Sequence, residues 1–415
     1  MYVGNGCFTI KSVMDMKILY ISSLSSKNLI DDIYRSTAVN PGFAIQKFSR
    51  LIVRGLVNNS IECRTLTNPP ITSKYTKKIW IQRNAEMEDG VDYDYIPFVN
   101  IPIIKHLFVC LYTFIHVLRW KYKDKTQRII VCDVLNVSAC LGALLASKIT
   151  RMQSVAIVTD LYGLMVNDNR SVLRRIISKC AHIVHDWYVS SFDKYVLLTE
   201  QMNDKVNTRH KPYLVMEALC DIAVENTKVH DISKSKDFPR TIIYAGGLYE
   251  EYGLAKLVES FIHANIQDAK LVLYGDGPYV KKLKKICEKY NNIEYRGVKP
   301  NSVVVDDELR ATLLVNPRPT TEEFTKYSFP SKNMEYMVSG TPLLTTKLPG
   351  MPKDYYPYVY MIEDESIGGY AKALTDVLSK NADELIRFGL KAKNFVLENK
   401  NYIIQTQRII KLIQS

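Results

Sequence analysis

Short, nearly continuous apolar runs alternate with longer amphipathic stretches along the chain. KILYIS, SIECRTLT, RIIVCDVL, SVAIVTDL and KYVLLTE read as strands of the first half. TIIYAGG, KLVLYGDG, NIEYRG, ATLLVNP and TPLLTT repeat the rhythm in the second. Between them, 41–56, 171–187 and 250–264 carry helical spacing. Strand alternating with helix predicts parallel sheets built from βαβ units. Periodicity is lost over 217–238, so the α/β chain divides into an N-terminal Rossmann-like domain at 16–220, a linker at 221–238 and a second Rossmann-like domain at 239–395. The two are expected to face one another across a cleft, with ligands beyond the carboxyl ends of the strands. The stripe in YIIQTQRIIKLI predicts that 396–415 is a helix packing back on the first domain. MKILYIS reads as the start of the first domain, and residues 1–15 as an upstream extension.

A length of 415 residues exceeds what one core usually covers and supports two domains. With 47% hydrophobic and 24% charged residues, the composition is that of a globular protein. The most apolar stretch, 106–118, is shorter than the ~18–20 residues of a spanning helix. The eight cysteines are scattered with no C-x-x-C pair, which predicts neither disulfides nor a zinc site and points to a reducing cytoplasm. The net charge of +12 is uneven: residues 1–224 hold 28 Lys and Arg against 19 Asp and Glu, and the remainder 27 against 24. The basic half suits an anionic partner. Nucleic acid is not expected, because the charge forms no stripe with interleaved aromatics.

Candidate chemistry gathers in EEFTKYSFPSKNMEYMVSGTPLL, 322–344. Pro330 suits a first helical turn, and Gly340 with Pro342 an exit, which predicts a helix over 330–339. Met334, Met337 and Val338 form its apolar face. Ser331, Lys332 and Glu335 project elsewhere, beside N-terminal amides suited to phosphate. An i, i+3 surface pair of Lys332 with Glu335 explains the same spacing equally well. Gly246 and Gly247 permit close approach to a phosphate or sugar, and Asp276 in the following glycine turn suits a helix cap. In the first half Thr159, Asp160, Asp133 and Asn136 stand at strand ends, where carboxylates and amides either bind hydroxyls or cap helices. Asn40, Gly42 and Gln46 open a helix after a polar loop. His182 and His185 lack a third ligand, and no metal site is predicted.

The glycine pair after the first strand of the second half, GDGP, NPRPTTEEFTKYSFPSKNMEYMVSGTP and the closing helices resemble glycosyltransferase family 4, retaining nucleotide-sugar enzymes of the GT-B fold. The likeness is to bacterial polysaccharide-assembly members with a Y-S-F-P-S-K…E-Y…S-G-x-P segment, and it extends more weakly through NPGFAIQKFSRL, DVLN and VTDLY. It implies a UDP or GDP sugar held by the second domain through Gly246, Gly247, Tyr327, Phe329, Pro330, Ser331, Lys332 and Glu335. Glu335 takes the ribose hydroxyls as the second glutamate of the family's E-x7-E. The first glutamate is Tyr327 here, the usual first-loop cations are Gly247 and Tyr252, and the first-domain histidine falls at Thr159 or Asp160. Lys332, Arg318 and Lys326 remain as nearby cations, with Lys332, Asp160 and Arg318 as catalytic residues.

The acceptor, a glycan or polyprenyl-linked glycan, is expected at Asn40, Gly42, Gln46, Asp133 and Asn136. The resemblance implies a metal-independent hexosyl transfer in cell-surface polysaccharide synthesis, with no cofactor beyond the nucleotide-sugar substrate. Its expected setting is the cytoplasm, peripheral at the inner face of the cell membrane, with an anionic membrane surface meeting 101–125, a stretch that a simple amphipathic core helix explains almost as well. The alternatives are a nucleotide-sugar 2-epimerase on the same architecture and a non-catalytic partner subunit.

Overall fold

The computed structural model describes residues 16–37, 42–122, 126–161, 183–222 and 239–415. They form two compact units. The first comprises residues up to 198, 202–216 and 402–415; the second comprises 199–201 and 217–401. The chain therefore leaves the first unit at 216/217, ahead of the expected linker, of which 223–238 lies outside the described residues. It returns at 401/402, later than the expected boundary at 396, because Ala382–Asn399 is one helix of the second unit.

In the first unit, β1 (Met16–Ser22), β2 (Glu62–Thr67), β7 (Gln127–Asp133), β8 (Gln153–Val158), β9 (Lys194–Leu197) and β10 (Tyr213–Val215) are parallel. An antiparallel pair, β4 (Asn84–Glu88) and β5 (Val91–Tyr95), extends the sheet, whose order is β10-β9-β8-β7-β1-β2-β5-β4. A small ribbon, β3 (Trp80–Ile81) with β6 (Phe98–Val99), stands apart. β3 and β4 escape the sequence reading because they bury little, and β5 and β6 because they are short, although Val91, Tyr93, Tyr95 and Phe98 are buried. β7 runs IIVCD fully buried, the signature of a strand covered on both faces. The expected helix at 41–56 is Phe43–Asn58, and of 171–187 only 183–187 is described and helical.

The last helix, Tyr402–Gln414, packs on Phe43–Asn58, and a Cβ on Gly55 would lie 2.5 Å from the Tyr402 carbonyl and the Thr406 hydroxyl. Buried Lys194 donates from Nζ to the carbonyls of Leu412 (2.5 Å) and Ile413 (3.1 Å), a cation at the negative end of the helix dipole.

In the second unit, β11 (Arg240–Ala245), β12 (Ala269–Tyr274), β13 (Ile293–Gly297), β14 (Leu313–Asn316), β15 (Leu343–Thr346) and β16 (Tyr360–Ile362) form a parallel sheet ordered β13-β12-β11-β14-β15-β16. Each face carries a core. One gathers Leu257, Phe261, Leu283 and Leu374 from helices over Ile242 and Leu273. The other gathers Met334, Tyr336, Met337, Ala392 and Val396 over Ile243 and Val272.

Candidate functional site

Sheet order locates the site in the second unit. The chain runs from β11 to β12 and β13 on one side, then returns to β14 on the other, so β11 and β14 form the switch point of the sheet, beyond whose carboxyl ends folds of this kind bind ligands. Those loops are 246–253 and 317–320. They are packed backbone against backbone: Gly253, at φ +81°, approaches so closely that a Cβ would lie 2.0 Å from the Pro317 carbonyl oxygen. Gly275, at φ +126°, stands against the Gly246 carbonyl, 1.7 Å from where its Cβ would be. Only glycine fits either place. The carboxylate of Glu365 receives the Thr320 amide (3.1 and 3.2 Å), and the Thr346 hydroxyl donates to the Arg318 carbonyl, fixing the β14 loop.

The helix Ser331–Ser339 supplies the third wall. The buried Tyr336 hydroxyl accepts the Ala245 amide at 2.9 Å and so ties this helix to the end of β11. Lys332 lies one turn earlier on the same side, and its Cε comes within 2.6 Å of where a Gly246 Cβ would be. The lysine thus lies over the glycine turn. Among the described residues it has no ion-pair partner, so the surface pair with Glu335 is not formed.

Arg318 completes the group. Its guanidinium stacks over the rings of Tyr252 (4.8 Å) and Phe324 (5.4 Å) and donates one weak bond, Nη1 to Ser328 Oγ at 3.4 Å. Its Nε is buried with no partner among the described residues. Burial lowers its pKa from the ordinary guanidinium value, while Tyr252 and Tyr244 act the other way. Guanidinium remains charged through such a shift. A desolvated cation with no carboxylate beside it is poised for an anion supplied from outside. Asn333, 1% exposed, also leaves its Nδ2 unpaired while its Oδ1 accepts from Asn316 at 2.6 Å.

Gly246, Gly247, Lys332 and Arg318 are therefore brought together, with Ser331 at the helix start, Pro330 as its N-cap and half-buried Glu335 one turn along. Tyr327 is buried. Phe329 requires correction: it packs in the core against Tyr355 (5.2 Å between rings), so its side chain is not a donor ligand. Lys326 is exposed, and its carbonyl accepts from Thr199. Phe324, which with Tyr252 holds Arg318, escaped the sequence reading, and Tyr252 entered it only at the place of a missing first-loop cation. The spacing of Tyr252 in the glycine loop was the available signal.

In the first unit Asp133, Asn136, Thr159 and Asp160 do stand at the carboxyl ends of β7 and β8. Asp133 is 2% exposed, accepts the Leu135 amide and has its pKa pushed up to about 6 by burial. It faces the interior rather than an acceptor. Gln46 is likewise corrected: its carbonyl accepts the Ser25 amide and its amide donates to the Ser23 carbonyl (both 2.8 Å), a clasp with no free hydrogen-bonding end. Gly42 caps a helix at φ 85°, and Asn40 lies outside the described residues. Asn136 accepts from Asn68 at 3.3 Å and leaves its buried Nδ2 unpaired. Asp160 is exposed, with its carboxylate accepting the Leu161 amide at 2.8 Å, and desolvation raises its pKa from the ordinary value.

The fold these units build is GT-B. Residues 225–395 match the family model described as glycosyl transferases group 1. No curated protein matches the sequence. Solved structures of similar fold include the lipopolysaccharide outer core galactosyltransferase WaaB in its apo form, at 16% identity and TM-score 0.58 over 96% of this chain and 99% of that one. HepE of Anabaena in complex with UDP is similar at 13% identity and TM-score 0.62, over 96% and 100% of the two chains. A UDP-forming trehalose-phosphate synthase from Burkholderia xenovorans is similar at 10% and 0.64, over 96% and 99%. The family match covers part of the chain, and the structures, all of low identity, show the fold.

Proposed function

We propose that the chain is a retaining hexosyltransferase that moves a sugar from a UDP or GDP donor to a glycan or polyprenyl-linked glycan acceptor in cell-surface polysaccharide synthesis, working at the cytoplasmic face of the membrane. The observation that carries this reading is the pair of cations without carboxylates, Arg318 and Lys332, beside a glycine turn at the switch point. The donor diphosphate lies against the Arg318 guanidinium, the Lys332 ammonium and the first amides of Ser331–Ser339, and Glu335 accepts the ribose hydroxyls. As the bond from the sugar's anomeric carbon to the diphosphate oxygen breaks, negative charge grows on the leaving group. Fixed cations in a desolvated site stabilise that charge without reorganising. With this charge supplied by side chains, turnover proceeds without a divalent metal and is unchanged by chelator. In the first unit Asp160 and Asn136 are the polar groups proposed for acceptor hydroxyls.

Thermal-shift screening with UDP, GDP and their sugars tests the reading, since a ligand that binds only the native state raises its melting temperature. One of the two nucleotide series stabilises the protein, and Glu335→Ala weakens that binding by about 1.5–3 kcal/mol. Full affinity in a folded Glu335→Ala protein removes the ribose role.

A further inference from the structure

The helix Pro102–Lys121 is long and apolar enough by composition to cross a bilayer, more than its sequence window of 106–118 suggested. One face is already used: Val109, Thr113 and Val117 are buried, and a Cβ on Gly142 of the neighbouring helix Val137–Thr150 would lie 2.2 Å from the Cys110 carbonyl. The opposite face is apolar and open. Ile103, Leu107, Leu111 and Ile115 recur every fourth position and are 76%, 68%, 59% and 38% exposed.

Beside its N-terminal half the segment 77–81 is held by Trp80, whose ring meets Phe108 edge-on at 5.4 Å, and by the Asn100 amide donating to the Ile79 carbonyl. There Lys77, Lys78, Ile79 and Trp80 are all exposed. A groove of about 620 Å³ lies alongside, lined by Ile71, Tyr75, Trp80 and Ile81 with Lys78. At the helix's other end Arg119 and Tyr122 are exposed. Residues 71–83 and 101–122 contain no Asp or Glu, against Lys74, Lys77, Lys78, Arg83, Lys105, Arg119 and Lys121. Two of these cations are engaged elsewhere, Arg83 by Asp94 and Lys105 by the Ile71 carbonyl. The others flank an apolar stripe that has aromatic residues near both ends.

We propose that this face is a docking surface for an anionic lipid bilayer, on which the helix lies in the plane of the interface. The stripe enters the acyl boundary, Trp80 and Tyr122 sit at headgroup depth, and Lys77, Lys78 and Arg119 meet lipid phosphates. Because both faces of the helix are then occupied, one by protein and one by lipid, it does not span. This surface rests on the membrane setting of the proposed function and is separate from its sugar transfer; its test involves no nucleotide, so transfer and docking can fail apart.

Flotation of the full chain with vesicles decides it. The protein floats with phosphatidylglycerol-containing vesicles, floats far less with phosphatidylcholine alone, and is released by high salt. Leu107→Asp with Leu111→Asp, at exposed positions that leave the fold intact by circular dichroism, lowers binding at least tenfold. Lys77→Glu with Lys78→Glu removes most of the preference for anionic vesicles while leaving the residual binding to neutral ones. The proposal is overturned if the wild type fails to float with anionic vesicles. It is equally overturned if the Leu107/Leu111 variant floats like the wild type, or if sedimentation shows a self-association that this variant abolishes in a chain without vesicle affinity, which would assign the stripe to a second copy.

Discussion

Arg318 and Lys332 share a chemistry but differ in setting, and the difference separates their roles. Arg318 is stacked over two neighbouring rings and desolvated before any ligand arrives, so on the proposed reading it is expected to meet the diphosphate in the ground state. Lys332 is placed over the Gly246 turn, its Cε 2.6 Å from where a Gly246 Cβ would be, and on the proposed reading it meets the charge that develops on the leaving oxygen. Lys332→Met should therefore lower kcat by about a hundredfold with little change in donor affinity, as removal of one preorganised electrostatic group does. Single-turnover rates at saturating donor measure it, and a rate within about threefold of wild type moves the role elsewhere. Asp133 gives a different residue-scale expectation. Its folded pKa of about 6 lies above the ordinary carboxylate value, so the native state binds the proton more tightly, and the penalty of the buried charge grows as pH rises from about 4 and is fully present above about 6. Asp133→Asn should raise stability by about 2 kcal/mol at pH 7.5 and change little at pH 4. Denaturant titrations at the two pH values check this, and an unchanged pH 7.5 midpoint contradicts it. At this scale the sequence showed which side chains have the right chemistry, but not which are occupied. Gln46 and Phe329 look like ligands until the Ser23–Ser25 clasp and the Tyr355 contact are seen.

The helix Ser331–Ser339 and the two glycine loops are one assembly. Tyr336 holds the helix to β11, and the 275–277 turn presses on the 246–248 turn from the other side. The sequence predicted this helix nearly to the residue, because Pro330 and Gly340 punctuate it and Met334 and Met337 set its face. The i, i+4 relation between Lys332 and Tyr336 was legible too, but its consequence depends on the Ala245 bond, a contact 91 residues away in sequence. Gly275→Ala should cost on the order of 2–4 kcal/mol, since both a left-handed φ and a backbone collision stand against it. Gly297→Ala provides the control: its φ is +72°, yet nothing but the Tyr295 hydroxyl at 4.0 Å meets the added Cβ, so only about 1 kcal/mol of strain is expected. Equal losses in thermal unfolding would refute the close packing of the two loops. Elements with little apolar signal, such as Trp80–Ile81 and Asn84–Glu88, went unread, since periodicity reports burial and these strands have little.

At the scale of the whole chain, two parallel sheets and a returning last helix were legible because strand runs, the aperiodic break and a terminal apolar stripe each have one simple structural meaning. The crossing points at 216/217 and 401/402 were not, since they are fixed by contacts. Glu217 and Lys400 form a buried ion pair of 2.6 Å next to them, and neither residue stands out in sequence. On the proposed function the second unit is built around a diphosphate, with Arg318 holding it. Calorimetric titration of the wild type and Arg318→Leu with UMP and UDP, and with GMP and GDP, tests it most directly. For one base, the wild type should bind the diphosphate at least about tenfold more tightly than the monophosphate, a difference of about 1.4 kcal/mol, and Arg318→Leu should collapse that gap while remaining folded. Equal affinity of the wild type for mono- and diphosphates, or a gap that survives intact in Arg318→Leu, would contradict the account.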